Sequence, residues 1–250
     1  PQSQEQFVFE QSNRILGLGD PDYSPPEGDI TQAALTSGAT LAELMKELAA
    51  DRRKNPRDDL TSALVHAEVE GETLTDAEIG PFFILLVVAG NETTRTAISH
   101  GMKALCDHPD ERRKWAADFD RVAPTAVEEI VRWASPVIHF RRTATRDTEL
   151  SGQKIAEGEK VVLWYNSANR DEAVFDEPFR FDVTRSPNEH VGFGGPGPHF
   201  CLGANLARRE MTVMFDTIRQ RVPSLRITGE PDYLQSGFIN GIKRMQCAWD

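Results

Sequence analysis

The longest unbroken apolar run in the chain is residues 82–89, Phe-Phe-Ile-Leu-Leu-Val-Val-Ala, and a polar cluster, Gly90-Asn-Glu-Thr-Thr94, follows it at once. Upstream, Thr75-Asp-Ala-Glu78 has the spacing of a capping box and predicts a helix from 76 to about 105. Eight consecutive apolar residues leave that helix without a polar face, so it is expected to run through the middle of the fold with protein on most sides. Leu35, Leu41, Leu44 and Leu48 recur at helical intervals and predict a helix over 31–55, stopped by Asn55-Pro56. Shorter helices are read at 59–66, 111–115 and 123–133. Residues 1–20, with Phe7, Phe9, Ile15 and Leu16, read as the end of a helix, and the proline-rich 20–29 as a loop. Past Pro136, residues 135–143 are β-like. The run 160–164 reads as a strand after a turn at Gly158, paired with Glu149-Leu150, and 225–227 with 245–249 as a terminal hairpin whose tip is 235–241. The expected class is mainly α with small β-sheets. A chain of 250 residues can bury its core as one domain or two.

Composition narrows the partners. The chain has 28 Lys and Arg against 39 Asp and Glu, a formal charge of −11, which disfavours nonspecific nucleic-acid binding. Three cysteines, Cys106, Cys201 and Cys247, are too few for a disulfide framework and point to a reducing compartment. The first residues have neither a basic nor an apolar segment, so no secretion signal is expected, and the run of eight is too short to span a bilayer. The expected localisation is cytoplasmic.

The chemistry-bearing stretch is Phe193-Gly-Gly-Pro-Gly-Pro-His-Phe-Cys-Leu-Gly203, after which Leu206, Met211 and Met214 stand near helical spacing. A glycine-rich loop here delivers Cys201 to a helix N-terminus, where the first N–H groups and the helix dipole favour thiolate over thiol. Gly195, Gly197 and Gly203 are expected to let backbone approach the sulfur. By residue type alone Cys201 also reads as a packing cysteine. Gly192-x-Gly194-x-x-Gly197 formally matches a dinucleotide fingerprint, but the polar stretch before it is no strand. Glu92 and Thr93 read either as a functional acid–alcohol pair or as a polar patch where the helix surfaces. Glu129 and Arg132 stand three apart on one helix face, which as a surface pair would contribute only about 0.3 kcal/mol. His66 reads as a surface or satisfied histidine, and His139 as non-catalytic.

These segments together resemble the cytochrome P-450 family, the haem-thiolate monooxygenases. Phe193 precedes Cys201 by eight positions, one more than the commonest form of the family signature. The resemblance implies haem b, with Cys201 as axial ligand to the iron, Phe193 packing beside the sulfur, His199 and Arg142 as propionate partners, and Gly203 as part of the cofactor-binding loop. It makes Glu92 and Thr93 the oxygen-activating pair and Glu129, Arg132 and Arg180 a buried structural triad. Ala89, Val137, Ile138, Phe238 and Ile239 would then line the substrate pocket. Val88 to Arg95 and the residues around the cysteine look most like mycobacterial and other actinobacterial members that hydroxylate terminal methyls of sterol side chains and methyl-branched lipids. The implied partners are O2, an apolar sterol or branched lipid, and ferredoxin with its reductase, with Arg208 and Arg209 as docking charges or a solvated face. The resemblance makes 1–250 one domain, the C-terminal haem-binding portion of the fold, with the N-terminal portion absent. A haem-binding or haem-free remnant without monooxygenase activity is the alternative, and peroxide-driven hydroxylation a further one.

Overall fold

The computed structural model describes residues 2–24 and 29–250, so part of the loop read over 20–29 lies outside the described residues. The chain forms two compact units, Pro1–Glu92 and Thr93–Asp250.

In the first unit α1 (Glu5–Leu16) precedes α2 (Ile30–Lys54) and α3 (Leu60–His66), followed by a short antiparallel pair, β1 (Glu68–Val69) and β2 (Glu72–Thr73). Aspartates begin two of these helices. Asp29 accepts from the N–H groups of Thr31 and Gln32, and Asp59 from that of Ser62 at 2.7 Å, satisfying donors that have no partner within the helix. Asp59 also accepts from Arg52 Nε at 2.6 Å, which ties α3 to α2. Met45, Ala49, Val65 and Ile79 form the small core beneath. His66 is a satisfied histidine, its Nδ1 bonded to the Ser62 carbonyl at 2.8 Å.

One continuous helix, α4 (Asp76–Asp107), leads from the first unit into the second. Its cap differs from the expected box. The Thr75 hydroxyl donates to Glu78 Oε2 at 2.8 Å instead of accepting from the backbone, and the Thr75 N–H meets the same oxygen at 2.9 Å. The apolar run is also less enclosed than expected: Leu85 is 61% exposed and most of its neighbours are half-buried. With no polar face, a helix covered on one side only leaves apolar surface open on the other.

The second unit packs α4 against α5 (Pro109–Ala117), α6 (Phe119–Ala134) and a helix near the C-terminus, introduced below. Their core includes Trp115, Val122, Val127, Ile130, Phe181, Met211 and Phe215. Gly101 fixes the approach of α4, because a Cβ there would lie 2.8 Å from Ile130 Cγ2 and 2.9 Å from Phe215. After α6 come β3 (His139–Thr143), β4 (Thr148–Leu150), β5 (Gln153–Ile155), β6 (Lys160–Trp164) and α7 (Tyr165–Ala168). The expected partner of β6 is corrected: β6 pairs with β3, whereas Glu149 and Leu150 turn back on β5 through a tight turn with Ser151 and Gly152 both at positive φ. A long loop leads to α8 (Ala204–Arg221). The terminal hairpin is two nested antiparallel pairs, an outer one of β7 (Arg226–Ile227) with β10 (Cys247–Ala248) and an inner one of β8 (Asp232–Tyr233) with β9 (Ile242–Arg244). Among the described residues no helix is long and apolar enough to cross a membrane.

Candidate functional site

Two fully buried opposite charges pair in the second unit. Glu129 and Arg132, one turn apart on α6, are both fully buried, with Arg132 Nε and Nη2 donating to the two Glu129 oxygens at 2.7 and 2.8 Å. The remaining guanidinium protons meet the carbonyls of Asn169 and Pro178 at 2.8 Å and of Arg180 at 3.1 Å. The third member of the cluster is not the one expected from sequence. Arg185 Nε donates to Glu129 at 3.1 Å, while the Arg180 side chain is half-exposed and paired with Glu177 at 2.7 Å. Arg180 contributes only its carbonyl, which turns inward to accept from both Arg132 and Arg185; with the carbonyl inside, its guanidinium faces out. The Asn188 side chain and the Asp182 N–H complete the shell around Glu129. Such completeness is what burial of two charges requires.

Asn169 connects this cluster to the cysteine loop. Fully buried, it donates from Nδ2 to the Ser135 hydroxyl and accepts at Oδ1 from the Val191 N–H, 2.8 Å away. Gly192 then presses against α6, where a Cβ would lie 2.5 Å from Val131 Cγ1, and Gly194 turns the chain at φ +87°. The Phe193 carbonyl accepts from the Cys201 N–H at 2.9 Å, closing the loop with its extra residue. The Cys201 carbonyl in turn accepts from Ala204 N–H, the first residue of α8. The half-buried thiol therefore stands at the start of a helix. The close glycine approach in this loop is at Gly192, while Gly194 is needed for its positive φ. Around Gly195 and Gly197 the space is open, and a Cβ at Gly203 would lie 4.0 Å from the sulfur, an ordinary contact.

One group of residues on the loop's α6 side escaped sequence reasoning. Glu128 accepts from Arg208 Nε at 2.6 Å and Nη2 at 3.0 Å, and pairs with His190 Nε2 at 2.9 Å. Burial pushes the Glu128 carboxyl up, but the hydrogen bonds from His190 and Arg208, with the Arg208 charge, outweigh it and hold it at about 2. The Arg208 guanidinium lies 4.5 Å from the centroid of the Phe193 ring. Arg208 is thus engaged within the protein, while Arg209 is exposed. The adjacent Glu128-Glu129 on a strongly amphipathic helix is the signal that could have found this group.

The apolar candidates come together in part. Val137 and Ile239 form a β-bridge, the Ile138 N–H donates to the Phe238 carbonyl at 2.8 Å, and Asn240 fastens the hairpin tip to the carbonyls of Ala134 and Pro136. His100 on α4 holds the Asn240 carbonyl at 2.8 Å. The His139 ring is tilted against Trp164 and meets Phe238 edge-on. Arg142 on β3 and His199 in the cysteine loop are both exposed. On α4, Ala89 is exposed, Glu92 buried and Thr93 half-buried, and nothing lies within 4 Å of a Cβ placed on Gly90.

The residues present fit a haem group. A single sulfur at a helix start and two exposed cationic or imidazole side chains suit a planar, anionic metal complex. The family model for Cytochrome P450 matches residues 28–222. The chain is 56% identical over 249 residues to the methyl-branched lipid omega-hydroxylase of Mycobacterium tuberculosis, spanning all of this chain and 57% of that protein. It is 45% identical over 247 residues to the steroid C26-monooxygenase of the same organism, covering 98% of this chain and 55% of that protein. A Mycobacterium marinum cytochrome P450 in complex with pseudoionone matches with a TM-score of 0.95 at 46% identity, covering the whole chain and 60% of that structure. The chain therefore spans a little over half the length of the relatives it matches, and it belongs to the cytochrome P450 family.

Proposed function

We propose that the chain is the haem-binding portion of a monooxygenase that hydroxylates a terminal methyl of a methyl-branched lipid or a sterol side chain. The observation that supports this most directly is the half-buried Cys201 thiol at the start of α8, its N–H tied back to Phe193. Bound there, haem b supplies activation of O2, assisted by the electron donation of a thiolate ligand. One oxygen atom enters the C–H bond and the other leaves as water, consuming two electrons and two protons.

The remaining work belongs to the protein. Cys201 would hold the haem iron through its sulfur, with Phe193 packed beside it and Gly203 completing the loop. Arg142 and His199, exposed in the chain, pair with the propionates. On α4 the Glu92 carboxylate would take protons from the supply side and the Thr93 hydroxyl would pass them on towards the cofactor. Ala89, Val137, Ile138, Phe238 and Ile239 hold the apolar substrate and exclude water. Electrons come from a ferredoxin and its reductase, and the protein works in the cytoplasm. The names of the two relatives, a methyl-branched lipid omega-hydroxylase and a steroid C26-monooxygenase, support these substrate classes.

The test is the difference spectrum of the reduced, carbon-monoxide-bound chain loaded with haem. A strongly red-shifted thiolate band, lost in Cys201→His with haem still bound, is the expected result. An unshifted band in the unmodified chain overturns the ligand assignment.

A further inference from the structure

We propose that Glu128 and Arg208 are positioning residues for Cys201, a clamp on its α6 side that holds the loop in place and sets the electrostatic potential at the sulfur. The inference rests on the reading of Cys201 as the haem ligand only for its second half, since the clamp itself is visible without cofactor.

Arg208 is on α8, about one turn in from the first residue of the helix, Ala204. Its guanidinium is fixed in two directions. Along its edge, Nε and Nη2 form a two-pronged pair with Glu128 at 2.6 and 3.0 Å. Across its face it lies 4.5 Å from the Phe193 centroid, the favourable orientation of a cation over an aromatic ring. Phe193 is the residue whose carbonyl receives the Cys201 N–H. The same carboxylate reaches the loop a second time through His190, which is nearly fully buried. His190 Nδ1 accepts from the Gly192 N–H at 3.1 Å, so the ring proton is on Nε2 and is donated to Glu128 at 2.9 Å. One carboxylate on α6 thereby grips the loop before the cysteine through His190 and the helix after it through Arg208. Because arginine presents a planar fork, lysine could supply the charge at this place but not both contacts.

The charges make the sign of each effect predictable. Arg208 places a cation on the side of the sulfur, and Glu128 offsets it. A positive potential there draws electron density from the sulfur and favours the reduced metal; a negative one does the reverse.

Three variants, Arg208→Met, Arg208→Lys and Glu128→Gln, test the clamp by two measurements. In the first, amide hydrogen exchange of the Cys201 region is followed in the chain without added haem. Arg208→Met is expected to expose the Cys201 N–H to exchange about tenfold faster, with Arg208→Lys only partly restoring protection; unchanged exchange in Arg208→Met overturns the positioning role. In the second, the haem-loaded chain is titrated for its reduction potential. Arg208→Met is expected to lower the potential, Glu128→Gln to raise it, and Arg208→Lys to stay near the unmodified value. Shifts of the same sign in Arg208→Met and Glu128→Gln, or none, overturn the electrostatic role, because a merely structural defect has no reason to reverse with charge. Failure of the unmodified chain to take up haem through Cys201 would count against the proposed function and against the electrostatic half, while exchange still decides the clamp.

Discussion

Two polar regions of the second unit, joined through Asn169, follow opposite rules. Around Glu129 and Arg132 every charge is enclosed, and each guanidinium proton of Arg132 has an acceptor within about hydrogen-bond distance. Around Cys201 the loop is tied by its backbone, but Gly195 to Phe200 are exposed, as is Arg142 on β3. The first region has spent its polar groups on the fold. The second keeps side chains available. A residue whose role is structural should therefore affect stability when changed, and one whose role is to receive a ligand should hardly do so.

The widest separation should come from Arg132→Met. It leaves Glu129 charged inside the protein, with the carbonyls of Asn169 and Pro178 short of a donor, and breaking a buried pair in this way costs about 3–5 kcal/mol. Urea unfolding followed by circular dichroism is the measurement, with an m-value unchanged so that the midpoint reports stability alone. A loss below about 1 kcal/mol would mean that the cluster behaves as a surface pair despite its burial.

A sharper version separates the two arginines. Arg185→Gln removes a hydrogen-bonded cation from a buried carboxylate and should cost about 2 kcal/mol. Arg180→Gln removes only a half-exposed pair with Glu177 and should stay within about 0.5 kcal/mol. If the order were reversed, the assignment of the third member to Arg185 would be wrong.

The comparison also explains what could be read from sequence. Helices were legible wherever apolar spacing and a stop signal coincided, as in α2, where the leucine spacing ends at Asn55-Pro56, and the thiol loop was legible because glycines and a cysteine leave a dense local signature. Arg180 was misassigned because a local motif fixes which residues are near, not which way each points: once a backbone carbonyl faces inward, its side chain faces out. The β6 partner was missed for a similar reason, since Ser151-Gly152 at positive φ reverses the chain into a local hairpin before β6 arrives. Gly90 ends the apolar run in open space, and the glycine that sets helix packing is Gly101, against Ile130 and Phe215. A close approach depends on residues far along the chain, and no window of sequence contains them. Gly101→Ala should accordingly destabilise by about 1–3 kcal/mol through overpacking, whereas Gly90→Ala, with open space around it, should stabilise the helix by up to about 1 kcal/mol. Equal effects in thermal unfolding would show that α4 is not seated at Gly101.

The smallest effect on stability is expected on the open face, and it is the more telling for being small. Arg142 lies on β3 with one Nη1 bond to the carbonyl of its neighbour Arg141 at 3.1 Å, and His199 is exposed in the loop. Neither gives up a buried partner when replaced, so Arg142→Gln and His199→Gln should each leave the chain without haem within about 0.5 kcal/mol of its unmodified stability. If these side chains hold the propionates, the same changes should weaken haem retention, because each removes a charge-assisted bond of about 1.5–3 kcal/mol, and the double variant should lose haem faster than either single one. The measurement is haem transfer to an acceptor apoprotein, run beside urea unfolding of the haem-free chain. Faster transfer with unchanged unfolding would separate binding from folding at two residues that packing does not need; unchanged transfer would remove Arg142 and His199 from the haem site while leaving Cys201 in it.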